Sequence, residues 1–383
     1  MLLSENLLSF RNVSKSYYGN TVLSNINIEV KKGEIHALIG ENGAGKSTLM
    51  NILFGMPVIH TTGGYEGEIL IDGQKTDIRS PYEAMQAGIG MVHQEFMLIP
   101  QYTIAENIKL NREITTPNAV SRVLGKRLET IDMAKMNEHA RKALDTLDMN
   151  IEAYTMIAGL PVGHMQFIEI AREIDKTGIK ILVFDEPTAV LTESEAQNLL
   201  AAIKRLAGMG IGIMFISHRL DEIVSVADRV TILRDGEHVA TKDIGDTNAA
   251  EIASLMIGRK VSIARDCSEC RELSDEVELR IEDLHVAMPG ESVRGISLDI
   301  RKGEIVGIGG LAGQGQLGIA NGIIGTYPAR GKVIIRGNEL TLNDPHSVIK
   351  SGIAFVSEDR KGVGLLLNES VELNIAFTPM QTN

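Results

Sequence analysis

One stretch of the sequence occurs twice. GEIHALIGENGAGKSTLMNILFG begins at Gly33 and GEIVGIGGLAGQGQLGIANGIIG begins at Gly303, an offset of 303 − 33 = 270 residues. AGIGMVHQE and SGIAFVSED form a second similar pair, offset by 352 − 88 = 264 residues, and the similarity continues to Asn107 and Asn374. A repeat of this length indicates a duplicated domain rather than a solenoid. The 383 residues suffice for two or three domains.

The two copies differ in length. The first is predicted to span residues 1–259, and the second, 277–383, reaches only the part equivalent to about Thr116. The polar segment 260–276 contains both cysteines, Cys267 and Cys270, and is predicted to be a linker. A zinc site would need four ligands and no second cysteine pair is present, so the linker interpretation is favoured.

The first copy alternates apolar runs with helical patterns, which predicts an α/β domain with parallel strands. A helix is predicted over 129–147, with Ile131, Met136, Ala140 and Leu144 on one side. It belongs to a helical insertion at about residues 95–176. The predicted strands are residues 34–39, 90–92, 180–184, 212–216 and 229–234.

The first of these strands leads into Gly40-Glu-Asn-Gly-Ala-Gly45-Lys46-Ser47, and a helical pattern over 47–54 follows. This is the G-x-x-x-x-G-K-[ST] pattern of a phosphate-binding loop. Backbone N–H groups and the helix N-terminus surround the phosphates, Lys46 neutralises β/γ oxygens, and Ser47 offers a hydroxyl to Mg²⁺. The predicted nucleotide-contacting residues of the loop are Gly40, Glu41, Asn42, Gly43, Ala44, Gly45, Lys46, Ser47 and Thr48.

Two polar residues follow the apolar run 181–184. The carboxyl end of a buried parallel strand is where ligands bind in such sheets. We therefore expect Asp185 to hold Mg²⁺ and Glu186 to orient and deprotonate the attacking water. Alone this pattern is weak, since a strand ending in a polar loop looks the same, but the phosphate loop favours the functional interpretation.

Two further candidates follow neighbouring strands. His218 comes after the apolar run 213–216, where it could donate a hydrogen bond to the γ-phosphate, although a lone histidine is more often structural. Gln94 follows the strand predicted at 90–92, and its neutral amide could reach both Mg²⁺ and the lytic water. Without the other motifs, Gln94 would be interpreted as an exposed loop residue.

Charge and composition restrict the partners. Lys+Arg is 38 and Asp+Glu is 50, so the formal net charge is −12, which argues against nucleic acid as the main partner. Two cysteines fit a reducing compartment. The N-terminus lacks the pattern of a signal peptide, and no apolar run approaches the roughly 20 residues of a spanning helix. Any membrane association is therefore predicted to be peripheral.

Taken together, Lys46, Gln94, Asp185, Glu186 and His218 resemble, in order and spacing, the ATP-binding subunits of ABC (ATP-binding cassette) transporters. The resemblance implies a P-loop NTPase cassette with a parallel-sheet core, an antiparallel β subdomain and a helical insertion, followed by a partial second cassette. ATP and Mg²⁺ are the implied cofactors. It also implies that Tyr18 stacks on adenine. The family's signature motif, which contacts ATP bound to the opposite cassette and precedes a helix expected from Phe167, corresponds to Leu160, Pro161, Val162, Gly163, His164, Met165 and Gln166.

Tandem cassettes with a degraded second loop resemble importers of simple sugars (ribose, galactose) and of nucleosides. GMVHQEFML, DEPTAVLT and GLAGQGQ look closest to the nucleoside branch served by basic-membrane-protein-type lipoproteins, whereas FISHRL and TILRDG look closer to the sugar branch. The implied partners are permease subunits and, through the complex, a substrate-binding lipoprotein, at the cytoplasmic face of a bacterial-type membrane. Another small solute, such as a vitamin, stays open.

The second copy departs from the pattern. Gln316 replaces the loop lysine, Leu317 the Mg²⁺-binding hydroxyl, Met288 stands at the position of Tyr18, and Glu358 at that of Gln94. We expect this copy not to hydrolyse ATP.

In the first copy, Pro161 replaces the signature serine. The second copy has no signature that could close over the first site, so either the sequence is a fragment, which we expect, or two chains pair. A non-transport ABC ATPase acting on ribosomes or DNA, and an ATP-binding module without turnover, are the alternatives.

Overall fold

The computed structural model describes residues 6–93, 97–189, 191–258, 273–310, 313–357 and 363–382. The chain forms two compact units, Met1–Ile263 and Ala264–Asn383. Most of the predicted linker, including Cys267 and Cys270, lies outside the described residues.

A ten-stranded sheet forms the framework of the first unit. Its order is β5-β4-β1-β2-β12-β11-β3-β10-β9-β6, and β7 and β8 pair separately. The strands are β1 (Asn6–Tyr17), β2 (Asn20–Lys31), β3 (Ile35–Ile39), β4 (Glu66–Ile71), β5 (Gln74–Lys75), β6 (Ile89–Val92), β7 (Thr115–Thr116), β8 (Thr130–Ile131), β9 (Ile181–Asp185), β10 (Gly212–Ile216), β11 (Arg229–Arg234) and β12 (Glu237–Asp243).

The sheet has an antiparallel and a parallel half. β1 pairs antiparallel with β2 and β4, whereas β11, β3, β10, β9 and β6 are parallel to one another. Every residue of β3 and β10 is buried, because helices cover both faces of the parallel half. Within β3, Ile35, Ala37 and Ile39 join one apolar core and Leu38 joins the other. The predicted α/β fold with a parallel core and an antiparallel part is confirmed.

Helices connect the parallel strands, and those between β6 and β9 form the helical insertion. The helices of the first unit are α1 (Lys46–Leu53), α2 (Pro57–Thr61), α3 (Pro81–Gln86), α4 (Ile104–Ile108), α5 (Ser121–Leu124), α6 (Met133–Thr146), α7 (Val162–Ile174), α8 (Glu193–Gly208), α9 (Leu220–Val226) and α10 (Ala249–Ile257), with short 3-10 turns at Lys126–Leu128 and Ile244–Asp246.

The helix predicted over 129–147 starts later than expected. The side chain of Asp132 accepts a hydrogen bond from the backbone N–H of Lys135, which caps the first turn of α6. The residues before this cap pair as strand β8 with β7, so Ile131 is half-exposed, while Met136, Ala140 and Leu144 are buried as predicted. The helix predicted from Phe167 starts earlier, at Val162, with Pro161 as its N-cap.

The second unit contains a four-stranded antiparallel sheet in the order β14-β13-β15-β16. Segment 304–310 forms no strand, although the equivalent residues of the first unit contain β3. No helix in the described ranges of the chain has the length and apolarity needed to span a bilayer. The elements are β13 (Val277–Val286), β14 (Val293–Arg301), β15 (Ala329–Ile335), β16 (Asn338–Glu339), α11 (Gln316–Ile324), α12 (Pro345–Lys350) and α13 (Val371–Thr382).

Candidate functional site

Four parallel strands of the first unit end at one edge of the sheet. Leu38 of β3 lies beside Ile216 of β10, which lies beside Asp185 of β9. Val92 of β6 lies beside Phe184, one residue earlier on β9. The segments that follow these strands therefore emerge together, as parallel register requires. They carry the predicted phosphate loop, Glu186 and His218, whereas Gln94 lies outside the described residues.

The phosphate loop runs between β3 and α1. Gly45 has φ 97° and caps α1, and a Cβ added there would lie 2.4 Å from Cδ2 of Leu23. At Gly40 a Cβ would lie 2.4 Å from the carbonyl oxygen of Leu233. Both positions therefore need glycine, because the loop is pressed against neighbouring backbone and side chains. Within the loop Ala44 is buried, whereas Glu41, Asn42, Gly43 and Ser47 are exposed.

Lys46 folds back over its own loop. Its Nζ donates hydrogen bonds to the carbonyl oxygens of Gly40 at 2.7 Å and Glu41 at 3.1 Å. Burial lowers the pKa of Lys46, and the carboxylates of Glu186 and Asp185 oppose that shift. The cation is thus held over the loop and close to both acidic residues.

Asp185 is the last residue of β9 and is half-buried. Burial raises the pKa of its carboxyl group and the charge of Glu186 adds to this, while His93 and Lys46 oppose it. A nearby cation stabilises the ionised carboxylate in this position. Mg²⁺ binds carboxylate oxygens of this kind together with phosphate oxygens.

Glu186 follows with a left-handed backbone, φ 48°. Its N–H donates to the carbonyl oxygen of Ile216 at 2.8 Å, which fixes this conformation, and its Oε1 lies 3.1 Å from Nδ1 of His218. A non-glycine residue at positive φ in a site of this kind is a functional signal. The carboxylate is oriented by the histidine, and the ring of His218, with 62% of the side chain exposed, faces open space.

The loop of His218 is anchored by buried polar groups. The N–H of Arg219 donates to Oγ of buried Ser217 at 3.0 Å. Oγ1 of Thr188, in the segment after Glu186, donates to the buried carboxylate of Glu222 at 2.7 Å. The second bond ties the segment after β9 to that after β10.

The loop region fits Mg-ATP. The loop has the glycines, at positions where a Cβ would clash, of a phosphate-binding loop, in which backbone N–H groups face the phosphates, and Lys46 adds a cation. Among the described residues, Ser47 and Asp185 would offer oxygen ligands to Mg²⁺. No group of three or more His, Cys, Asp or Glu in the described part of the chain could hold a metal ion by itself.

Tyr18 lies at the turn between β1 and β2, with φ 49° and 93% of its surface exposed. The start of β2 contacts the phosphate loop, since Val22 and Leu23 are the neighbours of Gly45. The hairpin is therefore adjacent to the loop, and the ring of Tyr18 lies in solvent beside it.

Leu160 precedes α7, and the rest of the signature segment forms the N-cap and first turn of this helix. Gly163 donates its N–H to Glu195, and a Cβ there would lie 2.3 Å from Oε1 of Glu195. Gln166 is buried and His164 is exposed. Among the described hydrogen bonds, none joins residues 160–166 to residues 40–48 of the same unit.

Three residues of α7 form hydrogen bonds to the residues on both sides of the segment that contains Gln94. The sequence patterns assigned no role to these three residues. Glu169 accepts a hydrogen bond from the N–H of Met97, and Arg172 donates to the carbonyl oxygen of Met97 at 2.8 Å. Glu173 accepts from the N–H of Met91 at 3.2 Å. Their spacing of i, i+3 and i+4 on a largely apolar helix was the available signal.

Comparison with known proteins gives the same assignment. The ABC transporter family profile matches residues 23–189. A xylose import ATP-binding protein of Thermoanaerobacter pseudethanolicus is 37% identical over 381 residues, covering 98% of this chain and 72% of that protein. A ribose import ATP-binding protein of Chelativorans is 39% identical over 370 residues, covering 96% and 68%.

The chain belongs to the ABC transporter ATP-binding family. A solved ATP-binding cassette, MJ1267 in its ADP conformation, has the same fold, with a TM-score of 0.55 and 24% identity over 67% of this chain and 100% of that one. Cassettes of this family are ATPases that bind ATP with Mg²⁺. An ABC cassette therefore accounts for the phosphate loop, the paired strand ends and the helical insertion of the first unit.

Proposed function

We propose that this chain is the ATP-hydrolysing subunit of an importer for a simple sugar of the ribose or xylose type. The convergence of Lys46, Asp185, Glu186 and His218 at one sheet edge carries the proposal of hydrolysis. The names of the two relatives favour a sugar over a nucleoside, although the similarity of some segments to the nucleoside branch makes nucleoside uptake the outcome to test against.

In this proposal Glu186 accepts the proton of the attacking water, because it is the carboxylate held by His218 at the strand end. His218 then donates toward the γ-phosphate, and Lys46 leaves the carbonyl of Gly40 to neutralise β/γ oxygens. Ser47 and Asp185 would hold Mg²⁺, which would offset triphosphate charge. Gln94 would link the water to Mg²⁺, and Tyr18 would stack on adenine.

Hydrolysis is tested by phosphate release from the purified chain, with and without its permease. Glu186→Gln is expected to abolish release while keeping Mg-ATP binding, because the amide still fits but accepts no proton. The matched control is Glu29→Gln, at an exposed carboxylate of β2, whose replacement is expected to leave release unchanged. Undiminished release by Glu186→Gln would refute the role of this residue.

We further propose that the second unit is a degenerate cassette of a tandem protein and that a further part of the protein covers it. Three apolar residues of this unit are exposed although their counterparts in the first unit are buried. Ile305 is 97% exposed against 3% for Ile35, at the offset of 270. Such a contrast at matched positions supports a missing covering layer, since exposed apolar surface of this kind marks an interface.

The other two pairs behave in the same way. Val356 is 94% exposed and Val92 is fully buried, at the offset of 264. Ile375 is 74% exposed and Ile108 is fully buried, at 374 − 107 = 267. The covering part comes either from a continuation of this chain or from a second chain that also supplies a signature to the first site. Gel filtration of Glu186→Gln with ATP separates these cases: a monomer rules out the paired chain, and an ATP-dependent dimer supports it.

The importer assignment implies two kinds of partner. Permease subunits would receive the closing motion of the cassette, and a substrate-binding protein would deliver the solute, with this chain at the cytoplasmic face of the membrane. Uptake of labelled ribose, xylose and nucleosides into cells lacking the gene tests the solute. Loss of pentose uptake alone is the expected result, and loss of nucleoside uptake alone would refute the sugar assignment.

A further inference from the structure

The glycine loop of the second unit is already occupied by a carboxylate of the same unit. Glu291 lies in the turn between β13 and β14, opposite the loop that precedes α11. The N–H of Gly313 donates to Oε1 of Glu291 at 2.6 Å, and the N–H of Gly315 donates to Oε2 at 2.7 Å. Both carboxylate oxygens therefore accept short hydrogen bonds from loop backbone.

These two N–H groups belong to glycines that match Gly43 and Gly45 of the first loop, at the offset of 270. Gly315 has φ 95° and caps α11, as Gly45 has φ 97° and caps α1. Gly313 has φ 85° and Gly43 has φ 89°. The described parts of the two loops thus share a backbone conformation, in which successive N–H groups point inward and attract an anion.

The matching position of the first unit carries no acid. By the offset of 270, Glu291 corresponds to 291 − 270 = 21, which is Thr21. Its Oγ1 lies 3.1 Å from Oγ of Ser16 on the opposite strand of the hairpin. The first hairpin therefore bonds within itself and sends no carboxylate to its loop.

We propose that Glu291 is an internal anion that fills the phosphate-binding loop of the second unit and excludes nucleotide phosphates from it. The proposal rests on the proposed equivalence of the two units. The second loop has lost the lysine and the hydroxyl, replaced by Gln316 and Leu317, and Glu291 in addition fills it. An entering phosphate has to displace the carboxylate from both N–H groups and meets its negative charge. Glu291 is then the residue that determines which anion this loop holds.

Amide hydrogen exchange followed by mass spectrometry on the full chain tests this, because peptides over 313–318 and 40–48 report on the two loops separately. Inorganic pyrophosphate is the probe. In the wild-type chain, pyrophosphate is expected to protect 40–48 and to leave 313–318 unchanged. In Glu291→Ala, loss of two charge-assisted bonds is expected to speed exchange of 313–318 by about tenfold or more without ligand, and pyrophosphate is expected to restore protection.

Two further variants complete the design. Glu291→Gln keeps one acceptor oxygen without the charge, so its exchange and its gain of protection are expected to lie between those of wild type and Glu291→Ala. Glu282→Ala removes an exposed carboxylate of β13 and is expected to behave as wild type. Exchange of the β13 peptide, 277–286, shows whether each variant is folded. If Glu291→Ala is not folded, the comparison of Glu291→Gln with wild type tests the proposal.

The proposal is overturned if 313–318 exchanges at the wild-type rate in both Glu291 variants, or if pyrophosphate already protects this peptide in the wild-type chain. Failure of pyrophosphate to protect 40–48 would instead contradict the proposed function of the first unit. The two failures therefore appear in different peptides of one experiment.

Discussion

Replacing Gly45 by alanine tests two reasons why the phosphate loop needs glycine at this position, its positive φ and its close contact with β2. Alanine at φ 97° costs about 1–2 kcal/mol of backbone strain. The added Cβ would lie 2.4 Å from Cδ2 of Leu23 and 3.2 Å from the carbonyl oxygen of Val22, so the loop or the β2 hairpin has to move, at a further cost of about 1–3 kcal/mol. We expect Gly45→Ala to lower the free energy of unfolding of the first unit by about 2–5 kcal/mol.

Gly159→Ala is the matched control. Gly159 has φ 89°, and a Cβ there would meet nothing within 4 Å, so only the strain of about 1–2 kcal/mol remains. Urea unfolding followed by circular dichroism gives both free energies, and calorimetric titration gives Mg-ATP affinity. Gly159→Ala is expected to bind Mg-ATP normally and Gly45→Ala weakly. Equal destabilisation by the two substitutions, with normal binding in both, would show that contact with the β2 hairpin does not constrain the loop.

The remaining predictions concern acidic groups of the first unit. Glu169→Leu leaves the N–H of Met97 without its acceptor and is expected to destabilise the first unit by about 1–3 kcal/mol, with Glu169→Gln closer to wild type; urea unfolding measures both. Because the pKa of Asp185 is raised, its charge destabilises the ligand-free fold above that pKa. Asp185→Asn is therefore expected to raise the urea midpoint at pH 7, and the gain should vanish as the pH falls towards 3.8. The affinity for magnesium is expected to be lower in Asp185→Asn than in wild type. An unchanged urea midpoint of Asp185→Asn at pH 7 would contradict the environment assigned to this carboxyl group.

Sequence patterns predicted the parallel core and the phosphate loop because both depend on local chemistry. Strands β3 and β10 read as short apolar runs since both faces are buried, and the glycines at 40 and 45 are demanded by the loop itself. The helix predicted over 129–147 begins only at Met133, because Asp132 caps its first turn. Ile131 fits the apolar period of a helix, so periodicity alone places the start too early.

Contacts between distant segments could not be read in this way. Glu169 meets Met97 across 72 residues, and Glu291 meets Gly313 across 22, and neither spacing leaves a period in the sequence. The orientation of Glu186 toward His218 likewise follows from the parallel register of β9 and β10, which a single sequence does not determine. The sequence identifies these side chains as candidates or as polar residues, but only the fold shows which groups they contact.

Calorimetric titration of Mg-ATP into the wild-type chain and into Lys46→Ala tests the central claim most directly. The account predicts one site per chain, in the first unit, because Glu291 fills the other loop. Loss of the Lys46 ammonium removes a charge-assisted contact and is expected to weaken this site by about 10- to 100-fold. Two sites of similar affinity, or one site that Lys46→Ala leaves unchanged, would contradict it.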